Sequence, residues 1–183
     1  YTAETIWAQL FSAPDSYSGM HNESSPIGSQ TALYLPTDAF IASFDKGDMR
    51  KEWGIKPEYV NAKGNKVIAR TYYNKYINEE YLEQELPASN TNILTWQTQL
   101  IRLAEMYLIA TEANAKIGTA AAVKKGNDAL NALKKARIEG WTDATYDQEA
   151  LLNEIMNERE RELVGEGYRL MDLKRWGKGV KRG

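Results

Sequence analysis

The feature that most constrains this chain is a long stretch without proline. All five prolines (Pro14, Pro26, Pro36, Pro57 and Pro87) lie in the first half of the 183 residues. Proline lacks an N–H and clashes with the preceding turn, so its absence leaves residues 96–183 open to continuous helix. Apolar residues there recur at helical spacing. Leu100, Leu103, Ala104, Tyr107, Leu108 and Thr111 form a first stripe. Ile101 and Ile109 widen it, which predicts a helix covered on more than one side. Gly118 supplies its stop. A second helix is expected from Ala120 to Ile138, with Ala129, Leu130, Leu133 and Ala136 on its apolar stripe and Gly140 at its end. Asp147 is placed to cap a third, running through Leu151, Leu152, Ile155, Met156 and Leu163. Gly165 and Gly167 interrupt the pattern, and Leu170 and Leu173 resume it.

The chain divides near residue 95. Residues 1–95 read as a loop-rich segment with short helices and strands, and residues 96–183 as a helical pair plus a C-terminal helix. Residues 12–30 are rich in Ser, Pro, Gly and Asn, a loop composition. Thr37 can cap a short helix that presents Phe40, Ile41 and Phe44. Lys63-Gly64-Asn65 reads as a turn before VIARTYYNKY, a β-branched and aromatic run expected to be extended. Ten alanines between Ala104 and Ala136 permit close helix approach. Ala129 and Ala136 resemble the small-residue positions of a tetratricopeptide repeat. One such pair cannot bury its own apolar face, so either the first half covers that face or further repeats do.

Charge and composition narrow the function. The formal net charge is −2 and the sequence pI about 5.6, so a broadly basic nucleic-acid surface is not expected. There is no cysteine, which removes disulfides, thiol catalysis and Cys-ligated zinc. The one histidine, His21, allows no His-pair metal site. No apolar run reaches membrane-spanning length. The chain opens on Tyr1, not Met, and reads as a mature or truncated piece.

No catalytic set stands out. Glu158, Glu162 and Glu166 share one helical face, but Arg159, Arg161 and Arg169 are nearby, so salt bridges are expected over metal or acid–base chemistry. Arg159 falls on the apolar stripe between Met156 and Leu163 and needs a carboxylate or carbonyl partner. Asp172 and Arg175, three apart, suggest another pair. Gly165 and Gly167 lack the third glycine and the preceding strand of a phosphate loop. His21 with Ser24 or Ser25 offers a nominal base and nucleophile with nothing to support them. The basic end, Lys174 to Arg182, is expected to be solvated or paired with helix carbonyls. The aromatic residues leave a binding role open. Trp53, Tyr59, Tyr72 and Tyr73 lie in or beside loops, with Asp48, Arg50 and Asn74 close in sequence, a composition that suits sugar stacking. Core packing is the competing role for each ring.

Three segments carry a resemblance. LIRLAEMYLIATEANAKIG, ALNALKKARIEG and NEIMNERERELVGEGYRLMDLKRWG resemble the C-terminal half of SusD/RagB proteins. Arg102, Ala104, Glu105, Tyr107, Leu108, Glu112 and Ala113 match the family's first motif, with Thr111 in place of its usual alanine. Leu130, Asn131 and a late Arg137 match the second loosely. Glu158, Arg159, Glu162, Leu163, Glu166, Gly167, Arg169, Asp172, Leu173, Arg175 and Trp176 match the third closely. FIASFDKGDMR and TYYNKY resemble the family's D-x-R and KY segments.

The resemblance implies a mainly α fold, a tetratricopeptide-like superhelix with a loop-rich first half and little β. It implies a surface-exposed outer-membrane lipoprotein of Bacteroidetes-type bacteria that captures nutrient glycans without catalysis or cofactor. The implied partners are an oligosaccharide and a SusC-like TonB-dependent transporter, with no nucleic acid, and with the membrane reached only through a lipid anchor outside this chain. A transporter-complex scaffold with no sugar site of its own, or a glycan-active enzyme, are the alternatives. Family members are longer, so this chain reads as the closing part of a longer superhelix. Family ligand residues lie in variable loops, so none is carried over, and the matched motifs read as structural.

Overall fold

The computed structural model describes residues 4–9, 35–68, 70–75 and 98–180. In chain order the elements are β1 (Thr5–Gln9), α1 (Asp38–Ala42), α2 (Met49–Gly54), β2 (Ile55–Lys56), β3 (Tyr59–Val60), β4 (Lys66–Ile68), β5 (Tyr72–Tyr73), β6 (Thr98–Arg102), α3 (Leu103–Ile117), α4 (Ala120–Lys135), α5 (Gln148–Glu162) and α6 (Arg169–Arg175). The fold is mainly α, with strands of five residues at most among those described. Two compact units form, each assembled from separate stretches of chain. One comprises Tyr1–Ile6, Ala42–Arg50 and Ile101–Gly183; the other comprises Trp7–Ile41 and Lys51–Leu100.

The helical unit is an α3–α4 hairpin with α5 laid against it. Helix α3 begins later than its apolar spacing suggests. Leu100 and Ile101 belong to β6, which pairs with β1. Arg102 is still extended, and the Leu103 N–H donates to the Glu4 carbonyl at 2.8 Å. A strand partner thus takes the backbone groups that an earlier helix turn would have used. Gly118 ends α3 in the left-handed region, at φ 74°. It is needed for space as well, because a Cβ there would lie 2.5 Å from the Gln148 side-chain nitrogen.

Helix α4 starts at Thr119, whose hydroxyl accepts from the Ala122 N–H at 3.3 Å. It stops at Lys135, three residues before the expected end, and Ala136 is its exposed C-cap. The buried stripe is therefore Ala122, Gly126, Leu130 and Leu133, not the expected one through Ala129 and Ala136. The spacing of four, four and three keeps these four on one face. The closest approach is at Gly126, where a Cβ would meet Leu151 at 2.9 Å and the Thr111 carbonyl at 3.2 Å. The small residue that lets the helices meet is this glycine.

Asn127 and Asn131 then fix the segment between α4 and α5. The Asn127 amide donates to the Tyr146 carbonyl at 2.9 Å and accepts from its N–H at 2.8 Å. Asn131 does the same at Ala144, at 2.8 and 3.0 Å, and accepts from the Trp141 indole at 3.0 Å. Each amide side chain pairs with the loop backbone as a neighbouring strand would. Asp147 caps α5, its carboxylate accepting from the Ala150 N–H at 2.9 Å. Two apolar clusters hold the three helices together. One is Ala104, Leu108, Leu133, Ile155 and Leu163; the other is Ala115, Leu130 and Leu151.

The second unit is short helices and hairpins. Thr37 caps α1, its hydroxyl accepting from the Phe40 N–H at 3.2 Å. Strands β3 and β4 pair antiparallel, with Tyr59 opposite Ile68 and Val60 opposite Lys66. Gly64, at φ 83°, turns the chain between them. Outside this hairpin β2 pairs with β5, placing Ile55 opposite Tyr73 and Lys56 opposite Tyr72. The run expected to be extended is thus two short strands.

Candidate functional site

Two groups of residues carry chemistry, one in each unit. In the loop-rich unit the four aromatic candidates have different fates. Trp53, in the last turn of α2, is 71% exposed, while Tyr72 is 1% exposed. Tyr59 and Tyr73 are half-buried, and Tyr73 meets Phe40 edge-on with centroids 6.1 Å apart. Tyr72 is a core residue of this unit, so a sugar cannot stack on it without drawing the ring out of the core. Trp53 differs because its backbone, not its ring, is anchored by hydrogen bonds. The Asn74 side chain donates to the Trp53 carbonyl at 3.1 Å, and the Asn74 N–H donates to the Gly54 carbonyl at 2.8 Å. The indole itself projects into solvent. The Lys56 ammonium lies 5.8 Å from the ring centroid and donates to the Glu52 carbonyl at 2.7 Å. Asn74 Oδ1 is the one buried side-chain polar atom without a hydrogen-bond partner among the described residues.

In the helical unit a charge network fills the space around α5. Arg50 forks onto Asp48 at 2.9 and 2.6 Å and reaches Glu158 at 2.6 Å and Glu162 at 2.7 Å. Arg102 holds the Glu162 carboxylate at 2.5 Å, its carbonyl at 2.6 Å and Glu166 at 2.8 Å. Arg137 donates to Glu162 at 3.0 Å and pairs with Glu4. Arg161 bridges Glu158 and Glu154, both at 2.6 Å. Lys134 pairs with Glu154 at 2.6 Å, and its ammonium lies 4.6 Å from the Trp141 ring centroid.

A second network ties α6 to α3 and α5. Arg159 donates to Asp172 at 2.7 Å and Arg175 donates to it at 2.8 Å. Arg175 and the Trp176 indole both donate to Glu112, at 2.6 and 3.1 Å.

These placements differ from the pairing expected from sequence neighbours. Arg161 does pair with Glu158. Arg159 turns instead to Asp172, and Arg169 pairs with Glu160 on the surface. Glu162 and Glu166 draw their cations from Arg50, Arg102 and Arg137, on distant segments. Glu162 is buried and Glu166 half-buried, and these arginines reach them from other elements. Lys134, absent from the matched motif residues, lies four after Leu130 on the same buried face.

Electrostatics follow from this geometry. Burial alone would raise the Glu162 carboxyl, but the charge of Arg102, hydrogen bonds from Arg137 and the charge of Arg50 hold it well below the usual carboxylate range. Glu158 is lowered in the same way, burial being outweighed by Arg50 and Arg161. Glu112 is brought down to about 2, its burial outweighed by hydrogen bonds from Arg175, Lys116 and Trp176. Carboxylates held ionised like this have no proton to donate near neutral pH. Among the described residues no group of three or more His, Cys, Asp or Glu side chains is placed to hold a metal ion. Within them, too, no helix is long and apolar enough to cross a membrane.

The profile of the SusD family matches residues 17–182. The chain belongs to the SusD family. Solved structures agree in fold. A SusD-like carbohydrate binding protein from Bacteroides vulgatus is 26% identical, with a TM-score of 0.69 over 98% of this chain and 36% of its own. A SusD superfamily protein from the same species is 28% identical, with a TM-score of 0.62 over 100% of this chain and 38% of its own. A laminarin binding SusD-like protein shares the fold at 22% identity and a TM-score of 0.65, over 100% of this chain and 46% of its own. This chain therefore spans less than half the length of these relatives. No curated protein sequence matches it. In this SusD-family chain the family motifs are parts of one structure. Arg50 of the D-x-R segment, held by Asp48, converges with Arg102 of the first motif and Arg137 of the second on Glu158, Glu162 and Glu166 of the third.

Proposed function

We propose that this chain is part of a non-catalytic glycan-binding protein that captures nutrient oligosaccharide at the cell surface and passes it to a SusC-like TonB-dependent transporter. The observation that carries the reading is the indole of Trp53, exposed on a backbone pinned by Asn74. Apolar sugar faces stack on such a ring, while amphipathic neighbours meet the hydroxyls. Tyr59 and Tyr73, half-buried in the same unit, are the secondary candidates. The names of the relatives, carbohydrate binding and laminarin binding, support the ligand class. Glu158 and Glu162 support a role without acid catalysis, since buried arginines hold both carboxyls below the usual range. The outer-membrane location and a lipid anchor outside the chain belong to the same proposal.

Calorimetry against a panel of soluble glycans, laminarin included, tests it. Trp53→Ala is expected to weaken binding about tenfold or more, equivalent to ~1.4 kcal/mol. Unchanged binding by that variant removes Trp53 from the site. Failure of every glycan moves the chain to the scaffold reading, and release of reducing sugar moves it to the enzyme reading.

A further inference from the structure

The basic C-terminal segment is not absorbed by the glycan site. Lys174, Arg175 and Lys178 follow one another with no acidic residue after Asp172, and Lys181 and Arg182 come later in the sequence. Among the described residues the three behave differently. Arg175 is committed to Glu112 and Asp172. Lys174 and Lys178 are exposed and make no ion pair among the described residues.

Helix α6 is short, but its two sides are distinct. Asp172 is buried and Leu173 half-buried, and they face the unit. At 100° per residue the opposite arc carries Leu170, Lys174 and Met171. Leu170 is 53% exposed and Met171 66% exposed. A helix side turned to water usually carries polar groups. This one carries leucine and methionine beside an unpaired lysine, and Lys178 and the exposed Val180 follow. Asp172 and Glu112 are occupied by arginine, and Glu160 by Arg169.

Exposed apolar side chains mixed with free cations match the chemistry of an anionic lipid surface. Phosphate headgroups draw the ammonium groups, and the apolar side chains enter the boundary beneath them. We propose that Leu170, Met171, Lys174 and Lys178 form a peripheral contact with anionic lipid headgroups, independent of any lipid anchor and of the glycan site. Charge complementarity selects this occupant.

Co-sedimentation of the anchor-free protein with phosphatidylcholine vesicles, with or without one quarter phosphatidylglycerol, tests the proposal. Binding is expected only to the anionic vesicles and is lost in 0.5 M NaCl, about fivefold the ionic strength at which the screening length is ~10 Å, which shortens it to ~4.5 Å. Lys174→Gln with Lys178→Gln lowers the partition coefficient about thirtyfold. Leu170→Ser with Met171→Ser lowers it while circular dichroism and Tm stay unchanged, because both side chains are exposed. Lys124→Gln, a change at an exposed lysine on α4, leaves it unaltered. Equal binding to both vesicle types, or a partition unmoved by the double lysine change, overturns the proposal. Binding to neither vesicle also overturns it, and leaves an acidic protein surface as the occupant to pursue.

Discussion

Glu162→Gln is the sharpest probe of the network around α5. The substitution keeps the shape and one acceptor but removes the charge. Glu162 accepts from Arg102 at 2.5 Å, Arg50 at 2.7 Å and Arg137 at 3.0 Å. Removing one partner from a buried pair costs about 3–5 kcal/mol, because the remaining charge stays desolvated. The three arginines keep other carboxylates: Asp48 and Glu158 for Arg50, Glu166 for Arg102 and Glu4 for Arg137. Arg50 and Arg137 also keep partial access to water, with side chains 13% and 19% exposed. The lower end of the range therefore applies, ~3 kcal/mol. At roughly 2–4 °C per kcal/mol for a chain of this size, Tm falls by about 6–12 °C. Glu160→Gln is the matched control. Its pair with Arg169 is exposed on both sides and is worth about 0–1 kcal/mol. Differential scanning calorimetry reads both. A Glu162→Gln loss no larger than that of Glu160→Gln would refute the claim that the network holds the unit together.

Four further outcomes follow from the same geometry. Glu112 sits at about 2 and Glu162 well below the usual carboxylate value of 4.5, so the stabilisation from each is present above 4.5 and is lost as pH falls below it. A Tm-against-pH series should drop across that window, and Glu162→Gln should flatten the drop. Tyr72→Ala, which empties a core position, should cost about 3–5 kcal/mol in urea unfolding, while Trp53→Ala should cost well under ~1 kcal/mol. Asn131→Ala removes three hydrogen bonds to residues 141 and 144 and should cost about 2–3 kcal/mol, with faster hydrogen exchange at the Ala144 amide. Asp147→Ala removes the α5 cap and should cost about 1 kcal/mol, measured by the same unfolding assay.

Helix α5 shows how far local pattern reaches. Its cap at Asp147, its buried Leu151 and Ile155 and the burial of Arg159 all follow from spacing along one helix. The Gly118 stop and the Gly64 turn were legible for the same reason, since each is a local backbone demand. The failures were tertiary. Helix α3 lost its expected first turn because β1 supplies a strand partner for residues 98–102. Helix α4 packs through Gly126 because Leu151 and the Thr111 carbonyl happen to face that position.

The candidate site divides along the same line. Aromatic residues in a loop-rich stretch identify Trp53, Tyr59, Tyr72 and Tyr73 as one group by composition. Composition carries no information about which ring turns inward, and strand pairing at Lys56 and Tyr72 accompanies opposite fates for Tyr72 and Trp53. By itself, then, the sequence determined the existence of the three long helices, the Gly118 stop and the Asp147 cap, the motif set that marks the SusD family, and the need of Arg159 for a carboxylate or carbonyl partner. These are properties of residues close along the chain, where spacing and chemistry suffice. Only the tertiary structure decided that Arg50, Arg102 and Arg137 converge on α5 from three distant segments, and that the Trp53 indole is exposed while Tyr72 is buried. Both depend on which surfaces are desolvated together, and desolvation is set by packing between segments rather than by order along them.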